Sequence, residues 1–196
     1  RMKMGRRMQG NGPRWGAFFG IVLACATLAT TVAGQQLTLE PHEELARELL
    51  RELIEINTVD SAGTTAAAEA MARRLLDAGF PAEDVNVVGP NERKMNLVAR
   101  LRGRNTGRPA ILLLAHLDVV EALPSDWNMD PFTFNERDGY YYGRGVVDDK
   151  DEAAIYTANL IRLRQEGFVP DRDIIVALTA DEEGGGFNGV QWLIEN

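Results

Sequence analysis

The run AILLLAH, Ala110 to His116, constrains this chain more than any other stretch. It is too uniformly apolar for a sheet wetted on one side, so it fits a central strand covered on both faces. Residues two apart in an extended chain point the same way, so His116 and Asp118 project together from the strand's end. A buried strand that ends in an imidazole and a carboxylate implies a site at that end.

The flanking segments predict what surrounds the strand. EPHEELARELLRELIEIN reads as a helix with Leu45, Leu49, Leu53 and Ile56 on one stripe and Pro41 in the first turn. His42, in that turn, reads as an exposed polar residue and not as a ligand. A second helix, about Thr64 to Ala78, stops at Gly79 and leads to a short strand, DVNVV. MNLVARLRG alternates like a strand, and RNTGRP reads as a turn. Beyond His116 follow a long loop, an aromatic hairpin around Asp138 and Gly139, a helix from about Asp149 to Gln165, and a strand, DIIVALTA. The spacing of Val190, Leu193 and Ile194 predicts one more helix, unfinished at Asn196. Alternating strands and helices predict an α/β sandwich with a mostly parallel or mixed sheet, and such sheets bind ligands beyond the carboxyl ends of their strands.

With 196 residues, 45% of them hydrophobic, the chain can build one main core. Its net charge is −8, although Arg1, Lys3, Arg6, Arg7 and Arg14 form an acid-free basic start, so the remainder is more acidic still. A nucleic-acid partner is excluded on that ground. The basic start precedes AFFGIVLACATLATTVA, Ala17 to Ala33, which reads as an export signal over residues 1–34. Cleavage after Ala33 puts Thr31 and Ala33 at the small-residue positions. VLAC around Cys25 offers a second reading, a lipid-anchor site, and an uncleaved membrane anchor is the third. Cys25 is the single cysteine, so no disulfide forms within the chain.

Three segments run from regular structure into polar chemistry: LLLAHLD, GRGVVDDKDE and IIVALTADEEGGG. Taken singly, acids after a strand read as a solvated loop or a helix cap, and Asp148 or Asp149 suits the cap of the helix that follows. Taken together, one histidine and several carboxylates converge on one edge of one sheet. Like charges at close range raise each other's pKa values and destabilise the fold, and a bound cation removes that cost. Imidazole and carboxylate without thiolate suit catalytic zinc, or cobalt or manganese in the same ligands. A carboxylate shared by two ions suits a two-metal hydrolytic centre.

HLDVV, DWNMDPF, DGYYYGRGVVDDK and TADEEGG, in that order, resemble the zinc-dependent aminoacylase, acetylornithine deacetylase and glutamate carboxypeptidase family of metallopeptidases. The resemblance runs from about Glu43 to Asn196. It implies a three-layer α/β sandwich of the co-catalytic zinc peptidase type, of which residues 35–196 are the N-terminal part. It further implies that His116 binds one of two zinc ions, that Asp148 bridges both, and that Glu183 binds the second. Glu182 would be the general base that takes a proton from a metal-bridging water and passes it to the leaving amine. Asp118 would orient or polarise His116. The implied substrates are dipeptides, C-terminal residues or N-acyl amino acids, cleaved at an amide or peptide bond next to a free carboxylate.

Less is carried by the other marked residues. Gly184, Gly185 and Gly186 either let backbone approach the site or form a flexible turn. Asp149 and Lys150 read as a local ion pair or a solvated face. Trp127, Pro131 and Phe132 read as cleft wall, with core packing preferred for Phe132. Asp151 and Glu152 stand where family members often carry glycine after the lysine. A further acidic ligand, a small domain used for homodimerisation and a late histidine ligand are expected beyond Asn196. A binding or receptor module on the same fold is the alternative, as is a metal-dependent hydrolase of another bond type. A serine esterase is disfavoured: no GxSxG occurs, and Ser61 and Ser125 lack suitable neighbours.

The export reading is checked by sequencing the N-terminus of secreted protein. It should begin near Gly34. An intact Arg6–Ala33 segment on soluble cytoplasmic protein would contradict it.

Overall fold

The computed structural model describes residues 38–105 and 107–196. The export segment expected from the sequence, with Cys25 and Ala33, lies outside the described residues. Among the described residues, no helix is long and apolar enough to cross a membrane.

The elements run α1 (Pro41–Glu55), α2 (Thr65–Asp77), β1 (Val85–Val88), β2 (Asn96–Leu101), β3 (Ile111–His116), β4 (Asn135–Arg137), β5 (Tyr140–Tyr142), α3 (Lys150–Gln165), β6 (Ile174–Thr179) and α4 (Gly189–Glu195). β1, β2, β6 and β3, in that order, form a mixed sheet. β2 pairs antiparallel with both β1 and β6, whereas β3 and β6 are parallel and joined through α3. β4 and β5 form the expected aromatic hairpin, with Asp138 and Gly139 both at positive φ, as a tight two-residue turn requires.

α1 and α2 form where apolar spacing allows one buried stripe. α1 has Pro41 in its first turn, and Glu43 Oε2 accepts from the Glu40 amide at 2.8 Å; its inner stripe buries Leu49, Leu50, Leu53 and Ile54. α2 buries Ala67, Ala68, Met71 and Leu75, and small residues at these positions let it sit close to β1 and β2. These stripes share one core with Leu97, Ala99 and Leu101 of β2 and with Val176 and Leu178 of β6.

Two readings of the sequence are corrected. β3 is an edge strand among the described residues, not a central one. Leu112 and Leu114 are 60% and 43% exposed, because neither a helix nor a further strand among those residues covers their side. Lys150 is neither paired with Asp149 nor solvated. It is fully buried, and its Nζ donates to the carbonyls of Leu53 and Ile56 at 2.8 Å each. Those carbonyls end α1, whose own last turn holds no basic residue, so Lys150 satisfies groups that a helix terminus leaves open. Burial pushes the Lys150 ammonium down to about 7.

Asn96 joins sheet to site. Fully buried, it donates from Nδ2 to the Val88 carbonyl at 3.0 Å and accepts from the Ala180 amide on Oδ1 at 2.9 Å. Gly189 packs so close that a Cβ there would fall 2.0 Å from Asn96 Oδ1. Asn96→Ala strands the Ala180 donor and the Val88 acceptor, so it should lower the unfolding free energy by about 1–3 kcal/mol. Urea denaturation checks this as a lower midpoint at unchanged slope. An unchanged midpoint would mean the two bonds contribute nothing.

Candidate metal centre

The site is assembled by the parallel pairing of β3 with β6. Their register places His116 opposite Thr179, and the Leu117 amide extends it by donating to the Thr179 carbonyl at 2.8 Å. Both strands therefore end at the same edge, where HLD from one and ADEE from the other meet. The third contribution comes from the start of α3. Asp149 leads that helix, but its carboxylate does not cap it; Oδ2 accepts from the His116 amide at 3.1 Å instead. This contact sets Asp148 beside the imidazole.

His116 is buried, and its two ring nitrogens have separate partners. Nδ1 lies 3.0 Å from the Asp118 carbonyl oxygen, an acceptor only, so Nδ1 carries the hydrogen. Nε2 then faces Asp148 Oδ1 at 3.0 Å and Glu182 Oε2 at 3.8 Å. Burial opposes a charged ring, but the carboxylate and carbonyl of Asp118 outweigh it and, with Asp148, raise the His116 pKa to about 9.

Asp118 is also buried, and its carboxylate reaches further than the orienting role the resemblance implied. Oδ1 lies 3.6 Å from His116 Nδ1. Oδ1 and Oδ2 accept from the amides of Glu182 and Glu183 at 3.1 and 3.0 Å. Burial would raise its pKa, yet the bonds from His116 and the two amides hold it below the ordinary range. Asp118 thus ties the end of β3 to the loop after β6. No local pattern signals this, since its partners lie 64 and 65 residues downstream.

The other carboxylates are left open. Asp148, Glu182 and Glu183 are all exposed. Single donor atoms of His116, Asp148 and Glu183 lie within 4.8 Å of one another. Burial and the neighbouring charge of Asp148 raise the Glu183 pKa. In its neutral Nδ1–H form the ring offers an Nε2 lone pair beside the Asp148 and Glu183 carboxylates, a donor set that fits a zinc-type cation taking the place of the proton Nε2 otherwise shares with Asp148. Glu182 stands alongside this group, outside the closest three.

A cleft of about 420 Å³ opens beside these residues, lined by Val120, Trp127, Tyr142, Arg144, Asp148 and Glu183 among others. Trp127 forms part of its wall and carries the Arg144 guanidinium over its ring at 5.4 Å. Pro131 serves through its carbonyl, which accepts from the Arg144 amide at 2.7 Å; Phe132 is half-buried and belongs neither to the cleft wall nor to the core cluster. His42 lies away from the site, in the lining of a separate hollow that includes Arg162 and Glu166. Gly185, at φ 104, does need to be glycine: a Cβ would fall 2.5 Å from Asp181 Oδ2. Around Gly184 and Gly186 the space is open. Sequence reasoning missed Lys94, Asp60 and Asp181, which form an ion-paired group behind the Glu182–Glu183 loop.

Known proteins resemble this chain in sequence and in fold. Residues 112–196 match the family described as Peptidase family M20/M25/M40. The chain is 40% identical over 96 residues to the N-fatty-acyl-amino acid synthase/hydrolase PM20D1 of Xenopus tropicalis, a match covering 49% of this chain and 19% of that protein. It is 34% identical over 152 residues to aminoacylase-1 of Sus scrofa, covering 75% and 36%. The chain thus spans between about a fifth and about a third of the length of these relatives. In structure it is similar to the M20 family metallo-carboxypeptidase Sso-CP2 of Sulfolobus solfataricus, with a TM-score of 0.58 at 17% identity over 70% of this chain and 31% of that one, a likeness of fold. With its mixed sheet the chain has the fold of the M20 metallopeptidases, and its segment from β3 onward is similar to Peptidase family M20/M25/M40.

Proposed function

We propose that this M20 hydrolase cleaves an amide or peptide bond next to a free carboxylate, in N-acyl amino acids or short peptides, using two zinc ions. The observation that supports it best is the grouping of His116, Asp148 and Glu183 within 4.8 Å, with Glu182 Oε2 3.8 Å from His116 Nε2. In this reading His116 holds one ion, Glu183 the other, and Asp148 both. When bound, the ions polarise the scissile carbonyl and lower the pKa of water. Glu182 takes the proton from the attacking water and delivers it to the leaving amine. Asp118 keeps the Nδ1–H tautomer of His116 and holds the main chain of both glutamates, so Nε2 and the glutamate carboxylates remain directed at the centre. The cleft beside Trp127 and Tyr142 receives the substrate, and the names of the relatives, an N-fatty-acyl-amino acid hydrolase and an aminoacylase, support an amino acid bearing an acyl group.

His116 with Asp148, and Asp148 with Glu183, give each ion two protein ligands, whereas hydrolytic zinc usually has about three. Catalysis in this reading therefore draws on ligands in addition to these, and residues 35–196 alone would bind zinc weakly and turn over nothing. The reading also keeps the protein as an exported enzyme, on the strength of the basic start and the apolar run at 17–33.

Two substitutions in the full-length protein separate ligand from base. Glu182→Gln should lower kcat by roughly a hundred- to ten-thousand-fold, the range for loss of a positioned proton carrier. Its zinc content should stay near that of the unaltered protein, because Glu182 is no ligand. Asp148→Ala should instead lose zinc, since one carboxylate serves both ions. Metal analysis beside kinetics on N-acyl amino acids and dipeptides checks both. Substantial turnover by Glu182→Gln would remove the base from this residue, and full zinc occupancy in Asp148→Ala would remove the shared ligand.

A further inference from the structure

Lys94, in the turn between β1 and β2, is buried, with its side chain 3% exposed. Its Nζ lies 2.7 Å from Asp60 Oδ1 and 2.5 Å from Asp181 Oδ1. Asp60 is open to solvent, but the Asp181 side chain is only 1% exposed. An ammonium taken from water at this depth is stable only when paired, and so is the buried carboxylate. Burial works against the charge on Lys94, and the two carboxylates overcome it, raising its pKa.

Asp181 immediately precedes Glu182 and sits at φ 52, in the left-handed region that non-glycine residues rarely adopt. Its carboxylate organises the rest of the loop. Oδ2 accepts from the Phe187 amide at 3.2 Å, and its own carbonyl accepts from Asn188 Nδ2 at 3.3 Å. Gly185 folds back against the group so closely that a Cβ there would lie 2.5 Å from Asp181 Oδ2 and 3.1 Å from Asp60 Oδ1. Residues 182–187 thus form a closed turn around one carboxylate. Asp118 holds that turn at the amides of Glu182 and Glu183, and Lys94 holds it from behind at Asp181.

We propose that Lys94 is a positioning residue: through its ion pair with Asp181 it fixes the turn that aims Glu182 and Glu183 at the centre. Lys94 contacts neither Glu182 nor Glu183. Its effect passes through the main chain, where a displacement on the order of 1 Å of a reacting group can cost about a hundredfold in rate. This role rests on the reading of Glu182 as base and Glu183 as ligand.

The test uses the full-length protein with cobalt in place of zinc. Lys94→Met keeps the length of the stem and removes the charge. It should lower kcat by about tenfold or more while KM moves by less than about threefold, the pattern of a loss felt in the transition state. The visible absorption bands of the cobalt protein should shift, because Glu183 is reoriented. In the metal-free protein, amide exchange at residues 182–187 should quicken while β2 and β6 stay protected. Asp181→Asn, which preserves shape and removes the charge on the other side of the pair, should reproduce all three effects and serves where Lys94→Met does not fold. A folded variant of either kind with an unchanged cobalt spectrum and unchanged exchange at 182–187 overturns the proposal. The spectrum and the exchange need no substrate, so unaltered protein that binds cobalt yet hydrolyses neither N-acyl amino acids nor dipeptides would sink the hydrolase reading, while these two measurements still decide the role of Lys94.

Discussion

The parallel register of β3 with β6 is the constraint on which the rest depends. Because His116 stands opposite Thr179, both strands deliver their carboxyl ends to one edge, and the residues after them meet without any long reach of side chains. β2 runs antiparallel to β6, so its start, not its end, arrives at that same edge. That is why Asn96, the first residue of β2, can bond the Ala180 amide, and why Lys94, two residues earlier, can pair with Asp181. The crossover through α3 supplies the remaining group, with Asp149 bonded to the His116 backbone and Asp148 beside its ring. A slip of one residue between β3 and β6 would turn His116 to the opposite face and dissolve the site.

At this edge the acids divide into two kinds. Asp118 and Asp181 are buried, and their oxygens are spent on amides and on Lys94 or His116. Asp148, Glu182 and Glu183 are exposed, and of their oxygens Asp148 Oδ1 meets the His116 ring. The first set builds the loop, and of the second set Asp148 and Glu183 line the cleft. Crowding explains the direction of each pKa: Asp118 is held down by its donors, whereas Glu183, with burial and Asp148 against it, is pushed up. A histidine drawn up to about 9 by this surrounding is the cation that faces the exposed set, as Lys94 faces Asp181, and a metal cation would meet the same demand more fully.

Much of this was legible in the sequence because local rules govern it. The apolar spacing marks α2 as about Thr64 to Ala78, and it forms over Thr65–Asp77; the Asp138–Gly139 pair marks the hairpin turn. His116 and Asp118 could be paired by strand periodicity alone, and the four ordered motifs directed attention to Asp148, Glu182 and Glu183. The failures share one cause, which is that composition does not say what covers a surface or what lies opposite. ILLLA reads as doubly buried, yet its strand stands at the edge of the described sheet. Lys150 reads as a surface charge, yet its ammonium seals the end of α1 nearly a hundred residues upstream. Lys94, Asp60 and Asp181 are separated by 34 and 87 residues, and only the sheet topology brings them together.

The central claim, that three separate segments converge to hold metal at the ends of β3 and β6, is tested most directly by anomalous diffraction at the zinc edge from crystals of the zinc-loaded full-length protein. Two peaks are expected, one against His116 Nε2, one against the Glu183 carboxylate, with the Asp148 carboxylate between them. Zinc located away from all three side chains, or a single peak that Asp148 does not touch, would contradict it.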